Sequence, residues 1–227
     1  MPTSPERSAP FSGWRIVGLA TITMALTGPG QTIGVSVFID HFAADLDLEK
    51  SWITAGYLVG TLSGSLALPT VGRLVDRFGV RRSMTLIAAL FSLALAAMSG
   101  VQGIVSLTAG FVFIRMLGQG SLSLVSMMSI QLWFERRRGT AISIAVTVSA
   151  GLMALVPVGL NTVIEEIGWR EAWLIAAGVV ATLVLPIAWF GMIDRPSTVG
   201  QRVDGLPPSD DEGQDTVWGF EQHEVIR

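Results

Sequence analysis

The sequence predicts an all-α membrane protein with six transmembrane helices arranged as a 3+3 inverted repeat. Three observations support this prediction: the composition, the positions of the charges and a short repeated motif. Half of the 227 residues are hydrophobic and only 15% are charged, whereas soluble domains carry about 25% charged residues. This composition argues against a soluble enzyme and against a disordered chain.

The charge balance and the rare residue types exclude further classes of function. A formal net charge of -3 disfavours a nucleic-acid partner, since such partners favour strongly basic domains. Cysteine is absent, so disulfides, thiol catalysis and cysteine-based metal sites are excluded. The two histidines, His41 and His223, are too few for a histidine-rich metal site. We therefore predict a protein that is not an enzyme and has no cofactor or metal.

Six long, uncharged runs give the predicted spans, because a helix needs about 20 apolar residues to cross a bilayer. The spans cover residues 14–38, 51–73, 82–99, 104–132, 138–161 and 170–193. The stretch 83–134 is long enough for two of them, with a turn at 99–103. Residues 1–13 then form an N-terminal segment, 14–193 the helical bundle, and 194–227 an acidic, flexible tail.

The positions of the basic residues predict the orientation in the cell (plasma or inner) membrane, since cytoplasmic loops are enriched in Lys and Arg. Lys50 and Arg170 alone lie on one side. Twelve lie on the other: Arg7, Arg15, Arg73, Arg77, Arg81, Arg82, Arg136, Arg137, Arg138, Arg195, Arg202 and Arg227. Both termini are therefore expected in the cytoplasm.

A short repeat suggests the arrangement of the spans. Residues 75–81 and 164–170 both read apolar, acidic, any, apolar, Gly, any, Arg. The distance in sequence between the two copies aligns the first predicted span with the fourth and the second with the fifth. Because an odd number of spans then separates the copies, they face opposite sides of the membrane. Inverted repeats of three spans are typical of secondary transporters.

The loop after the second predicted span carries a specific motif. Residues 72–82 contain Gly72, Asp76, Arg77, Gly79, Arg81 and Arg82 in the spacing G-x-x-x-D-R-x-G-x-R-R. This segment resembles the signature of the major facilitator superfamily. The resemblance implies that Asp76 pairs across a cytoplasmic gate with the second six-helix half. The alternative is that the loop only determines topology.

Residues 115–120 resemble the Arg and Gly-rich motif of this superfamily, and three further segments, 133–141, 168–173 and 194–196, resemble its monocarboxylate and oxalate–formate branch. Within them, Glu135 is expected to contact Arg77 or Arg81, as a similar loop does in the family. A solvated charge is the alternative. The resemblance covers about residues 12–206, and the second group of six spans has no counterpart in this sequence.

Polar side chains inside the predicted spans indicate a substrate cavity. Arg115 is the one charged residue well inside a predicted span. On insertion scales, placing an arginine at the centre of a membrane helix costs about 2.5–3.5 kcal/mol. Six residues form the candidate cavity: Thr27, Gln31, Tyr57, Arg115, Gln119 and Ser123. Arg115, Gln119 and Ser123 fall on one helical stripe. The alternative is structural: Arg115 bonds backbone carbonyls and the hydroxyls bond within their own helices.

Gly28, Pro29 and Gly30 lie near the middle of the first predicted span. Such a sequence breaks or kinks a helix, and irregular backbone at mid-membrane depth often borders a binding site. A static packing kink is the alternative.

Together these features predict secondary transport of a small organic anion, such as a monocarboxylate, by alternating access. Because one half supplies only one wall of a cavity, we expect a second six-helix half or a second copy of this chain as partner within the lipid bilayer. A truncated transporter, or a regulatory membrane subunit without transport activity, is the alternative.

Overall fold

The computed structural model describes residues 11–66 and 68–205 of the chain. This part of the chain is helical and contains no strand. Its α-helices are α1 (Gly13–Ala25), α2 (Thr32–Val35), α3 (Ile39–Asp45), α4 (Lys50–Ser65), α5 (Leu68–Met98), α6 (Ile104–Ile114), α7 (Ser123–Trp133), α8 (Arg138–Met153), α9 (Val156–Ile167) and α10 (Trp169–Pro186). The predicted all-α class is confirmed.

Within the described residues, four helical stretches are long and apolar enough to cross a membrane. They are Leu68–Met98, Ile104–Trp133, Arg138–Ile167 and Trp169–Gly191. The first two predicted spans are helical but interrupted. Between α1 and α2 the chain forms a 3₁₀ turn at Gly28–Gly30. The α-helix is interrupted there because Pro29 has no backbone N–H to donate and glycine has a low helix propensity. Since α4 has only 16 residues, the count of six spans stays a prediction.

The two copies of the repeated motif share one backbone geometry. Gly79 divides α5 into two arms and has φ 82° and ψ 168°. Gly168 separates α9 from α10 and has φ 101° and ψ 164°. A positive φ of this kind is accessible to glycine and costly for other residues. The repeat seen in sequence therefore corresponds to the same sharp turn at both positions.

The core lies where α5 packs along α10, α4 along α6, and α1 against α7 and α8. Aromatic rings fill the end of the bundle at which α4 and α10 begin. Phe38 stacks on Trp173 with ring centres 4.2 Å apart. Phe42 meets Trp169 edge-on at 5.1 Å and Phe111 at 6.0 Å. These contacts connect the broken first span to α6 and α10.

The second arm of α5 is attached to α10 and the residues after it at both ends. At its start, the backbone N–H of Arg81 donates to Asp194 Oδ1 at 2.9 Å. At its end, Arg170 Nη1 donates to the carbonyl oxygens of Ser99 at 2.7 Å and Val101 at 3.1 Å. These bonds satisfy backbone groups that helix ends leave unpaired and fix the register of α5 against α10.

The predicted flexible tail needs a correction in its first part. Residues 194–205 form two 3₁₀ turns, Pro196–Val199 and Val203–Gly205. The carboxylate of Asp204 accepts hydrogen bonds from the residues before α8, and Gln201 Oε1 accepts the N–H of Ser12 at 2.9 Å. This part is attached to the bundle, whereas residues 1–10 and 206–227 lie outside the described chain.

Candidate functional site

A π-helical segment, Arg115–Leu122, lies between α6 and α7 in the middle of the long stretch Ile104–Trp133. Inside it, the Ser121 hydroxyl donates to the carbonyl oxygen of Met116, five residues earlier, at 2.7 Å. The segment lies close against α5: a Cβ on Gly118 would come within 2.6 Å of the Phe91 ring. Single π turns within α-helices occur frequently at functional sites.

Arg115, the first residue of the π segment, is 6% exposed. Its Nε and Nη1 atoms are buried and find no hydrogen-bond partner among the described residues. The two ion pairs in the described part of the chain join Lys50 to Asp40 and Arg170 to Asp45. Arg115 is thus a buried cation that lacks an acidic partner in this part of the chain. Such a group is costly unless something else satisfies it.

A pocket of about 220 Å³ lies beside Arg115, between the end of α4 and the π segment. Thr61 and Ser65 of α4 line one wall, and Gln119 and Gly120 of the π segment line the other. The hydroxyls of Thr61 and Ser65 donate to Tyr57 O and Leu62 O within α4, so the donors left in the pocket lining are the Arg115 guanidinium and the Gln119 amide. This chemistry suits an anion with few other charges.

Tyr57 contacts Arg115 without lining this pocket. The guanidinium carbon of Arg115 lies 4.9 Å from the centre of the Tyr57 ring. The same ring meets Phe111 edge-on, with ring centres 5.4 Å apart. The Tyr57 hydroxyl forms a hydrogen bond of 2.8 Å with Thr32 Oγ1. Tyr57 thus contacts Arg115 directly without being part of the pocket wall.

The structure groups only some of the predicted cavity residues. Arg115 and Gln119 line the pocket and Tyr57 adjoins it, but Ser123 is not part of the lining. Ser123 begins α7 and its hydroxyl donates to Gly118 O at 3.4 Å. The stripe assumed α-helical spacing, and the wider π turn between Gln119 and Ser123 changes the direction of the later residue.

The polar residues of the first predicted span satisfy one another. Gln31 Nε2 donates to Thr27 Oγ1 at 2.9 Å, and Thr27 Oγ1 donates to Met24 O at 2.7 Å. Neither residue lines the pocket beside Arg115. Gly28, Pro29 and Gly30, buried in their 3₁₀ turn, bring the chain against α5, since a Cβ on Gly30 would lie 2.9 Å from the Phe91 ring.

The gate motif lies at the opposite end of α5 from Ser99. Asp76, Arg77 and Arg82 are exposed and Gly72 is half-buried. Asp76 forms no ion pair with the described residues. The Arg81 guanidinium lies over the Trp189 ring, with its carbon 4.6 Å from the ring centre.

Glu135 does not make its expected contact. It forms no ion pair with Arg77 or Arg81 in the described part of the chain. Its backbone N–H donates instead to Asp204 Oδ2 at 3.2 Å. The structure therefore agrees with the alternative interpretation, in which the Glu135 carboxylate is solvated.

Asp204 is a site residue that sequence reasoning missed. Its carboxylate also accepts the N–H groups of Arg136 at 2.7 Å and Arg137 at 3.3 Å, just before α8. Desolvation of the carboxyl raises its pKa, but the three backbone hydrogen bonds and the charge of Arg137 lower it more, so the pKa of Asp204 is below its ordinary value.

Across 11–66 and 68–205, no group of three or more His, Asp or Glu side chains is placed to hold a metal ion. The functional candidate is therefore the pocket beside Arg115.

Comparison with known proteins adds a family. The sequence profile of the Major Facilitator Superfamily matches residues 16–214. The uncharacterized MFS-type transporter YcxA of Bacillus subtilis is 24% identical over 199 residues, or 87% of this chain and 48% of the relative. Human monocarboxylate transporter 6 is 30% identical over 220 residues, or 92% of this chain and 41% of the relative. The MFS-type transporter oryN of Aspergillus oryzae is 28% identical over 162 residues, or 68% of this chain and 32% of the relative. The chain therefore spans about half the length, or less, of these curated relatives.

Proposed function

The chain belongs to the major facilitator superfamily, a family of multi-pass membrane transporters, and on this premise we propose that it takes part in secondary transport of a small organic anion such as a monocarboxylate. The observation that carries this proposal is the buried Arg115 guanidinium, whose Nε and Nη1 lack partners among the described residues. The pocket of about 220 Å³ beside it is the proposed substrate site.

The geometry of Arg115 favours a carboxylate over other ligands. The Tyr57 ring lies beside the guanidinium, and the buried Nε and Nη1 atoms have no hydrogen-bond partner among the described residues. Arginine binds carboxylates through planar, paired hydrogen bonds. The name of one relative, monocarboxylate transporter 6, agrees with a singly charged substrate. One cation in the pocket also suits one carboxylate better than two.

For the architecture we propose six membrane spans within residues 14–193, arranged as a 3+3 inverted repeat. The protein would lie in a cell membrane with both termini on the cytoplasmic side. The matching turns at Gly79 and Gly168 support the repeat. Alternating access rocks one six-helix half against another around a central site. The complete transporter would therefore contain a second half or a second copy of this chain.

The proposed gate lies at the Asp76 end of α5. Asp76 is exposed and has no ionic partner among the described residues, which is compatible with a partner from the second half. Its negative charge near a helix C-terminus is unfavourable alone. A partner that supplies positive charge there would stabilise the state in which the gate is closed.

Uptake by vesicles prepared from the protein's own membrane, which hold the chain together with any second half, tests this function. We expect accumulation of at least one of radiolabelled acetate, lactate or pyruvate, and a loss of about tenfold or more in Arg115→Gln, because a charge-assisted pair is removed. Arg73→Gln is the matched control, since Arg73 is exposed and bonds only to Pro69 O. Equal uptake by Arg115→Gln and the unmodified chain would contradict the site.

The native mass of the complex in its own membrane tests the partner. A mass of about two chains, or of this chain with another six-span protein, supports a two-wall transporter. A single chain of 24.2 kDa supports the alternative of a membrane subunit without transport activity.

A further inference from the structure

Thr32 connects two helices next to the proposed anion site. It is the first residue of α2, and its Oγ1 lies 2.8 Å from the hydroxyl oxygen of Tyr57 on α4. Thr32 does not line the pocket. We propose that Thr32 is a positioning residue: through Tyr57 it fixes the direction of the Arg115 guanidinium toward the bound carboxylate. This inference rests on the proposed function of the pocket.

The first step is that the Tyr57 ring is held at two places. The Tyr57 ring packs perpendicular to the Phe111 ring, with an interplanar angle of 86°, and this contact fixes the plane of the ring. Its tip is set by the hydrogen bond to Thr32. A tyrosine side chain has two main torsions, so one contact at the ring and one at the hydroxyl determine both.

The second step is that Arg115 takes its orientation from this ring. The guanidinium carbon is 4.9 Å from the ring centre, within the range of a cation–π contact. No hydrogen bond to Nε or Nη1 fixes the plane of the group in the described part of the chain. The ring face is therefore the contact that directs the N–H groups, and a ring free to rotate would release them.

The third step is that Thr32 acts at a distance from the pocket wall. Tyr57, Thr61 and Ser65 follow one another at intervals of four residues along α4, about 6 Å per interval in a helix. Ser65 lies in the pocket wall, whereas Thr32 contacts the Tyr57 end. An effect of Thr32 that is detected at Ser65 therefore acts at a distance, and its loss in Tyr57→Phe shows whether it passes through the Tyr57 hydroxyl.

The absence of cysteine allows a direct measurement of this effect. In Ser65→Cys, the only thiol lies in the pocket wall beside Arg115. The chain in lipid nanodiscs is treated with an anionic methanethiosulfonate, the ethylsulfonate, and with a cationic one, the ethyltrimethylammonium. The ratio of the two reaction rates reports the positive charge that Arg115 presents to the pocket, without the need to know the substrate.

We expect Arg115→Gln to lower the anionic-to-cationic ratio. Thr32→Val should lower it in the same direction by roughly fivefold, the effect of one net hydrogen bond. Thr32→Ser, which keeps the hydroxyl, should retain the ratio of the unmodified chain. Tyr57→Phe should match Thr32→Val, and the double variant should fall no further, since both remove the same bond.

Thr54→Val is the matched control on α4. Thr54 is exposed, and its hydroxyl bonds to Lys50 O within its own helix, so the ratio should not change. If Arg115→Gln lowers the ratio but Thr32→Val and Tyr57→Phe do not, the positioning role is wrong and the anion pocket stands. If Arg115→Gln leaves the ratio unchanged, the proposed pocket is wrong as well.

Discussion

The Arg115 guanidinium lies over the Tyr57 ring at 4.9 Å, although the two residues belong to different predicted spans. Desolvated contacts of this kind are worth about 2 kcal/mol or more. The contact holds a cation whose Nε and Nη1 atoms are buried without a hydrogen-bond partner among the described residues, and whose side chain lines the pocket. This arrangement is the basis for the assignment of an anion site.

A lysine at position 115 should support anion binding only partly. Arg115→Lys keeps the charge but loses the planar fork and the stacking surface, so we expect an apparent affinity for lactate or pyruvate about tenfold weaker than that of the unmodified chain. The half-saturation concentration for uptake measures this change. Identical affinities for Arg115→Lys and the unmodified chain would show that only the positive charge matters and not the geometry of the guanidinium.

Alanine at Gly79 should destabilise the bundle. Its Cβ would require a strained positive φ of 82° and would lie 2.6 Å from Asp194 Oδ1, which caps the second arm of α5. A strained backbone conformation of this kind costs about 1–3 kcal/mol. Thermal unfolding in detergent measures the loss. Gly178→Ala on α10, with open space around its Cβ, should be neutral or stabilising, and an equal loss in both variants would contradict this explanation.

Alanine at Gly60 should separate α4 from α6. A Cβ there would lie 2.8 Å from the backbone carbonyl carbon of Phe111, which has no room to move. Overpacking of this type costs about 1–3 kcal/mol and would also shift Tyr57 relative to Arg115. We expect both a lower melting temperature and weaker anion uptake. Gly159→Ala, which meets nothing within 4 Å, is the control that should change neither.

The attachment of Asp204 should depend on pH. Its folded pKa lies below the ordinary value, so its contribution is complete above an unfolded pKa of about 3.9 and is lost as the pH falls through the folded pKa. Hydrogen exchange at the amides of residues 135–137 measures this release. In Asp204→Asn the amides should exchange faster at neutral pH, with little further change in acid. Protection at neutral pH that is the same in Asp204→Asn and in the unmodified chain would contradict the role of the carboxylate.

The sequence predicted the features that depend on local chemistry. The all-α class followed from composition and apolar runs, and the interruption at Gly28–Gly30 follows from residues that favour helix poorly. The repeated motif placed Gly79 and Gly168 at equivalent positions, and both have the positive φ that glycine tolerates. Each of these depends on residues that are neighbours along the chain.

The features that were missed depend on contacts between distant residues. Asp204 and Glu135 are 69 positions apart, and no pattern in the sequence pairs them. The direction of Ser123 also could not be predicted, since the π segment before it changes the helical period only in the folded chain. Thr32 was likewise not selected, because its partner Tyr57 lies on another helix.

The most direct test of the anion site is protection of the thiol in Ser65→Cys by carboxylates. A neutral methanethiosulfonate is applied with acetate, lactate or pyruvate, and separately with the matched uncharged amides. We predict that at least one carboxylate slows modification, that its amide does not, and that Arg115→Gln abolishes the protection. Absence of protection by any of the three carboxylates, or equal protection by acid and amide, would contradict the assignment of Arg115 as the anion-binding group.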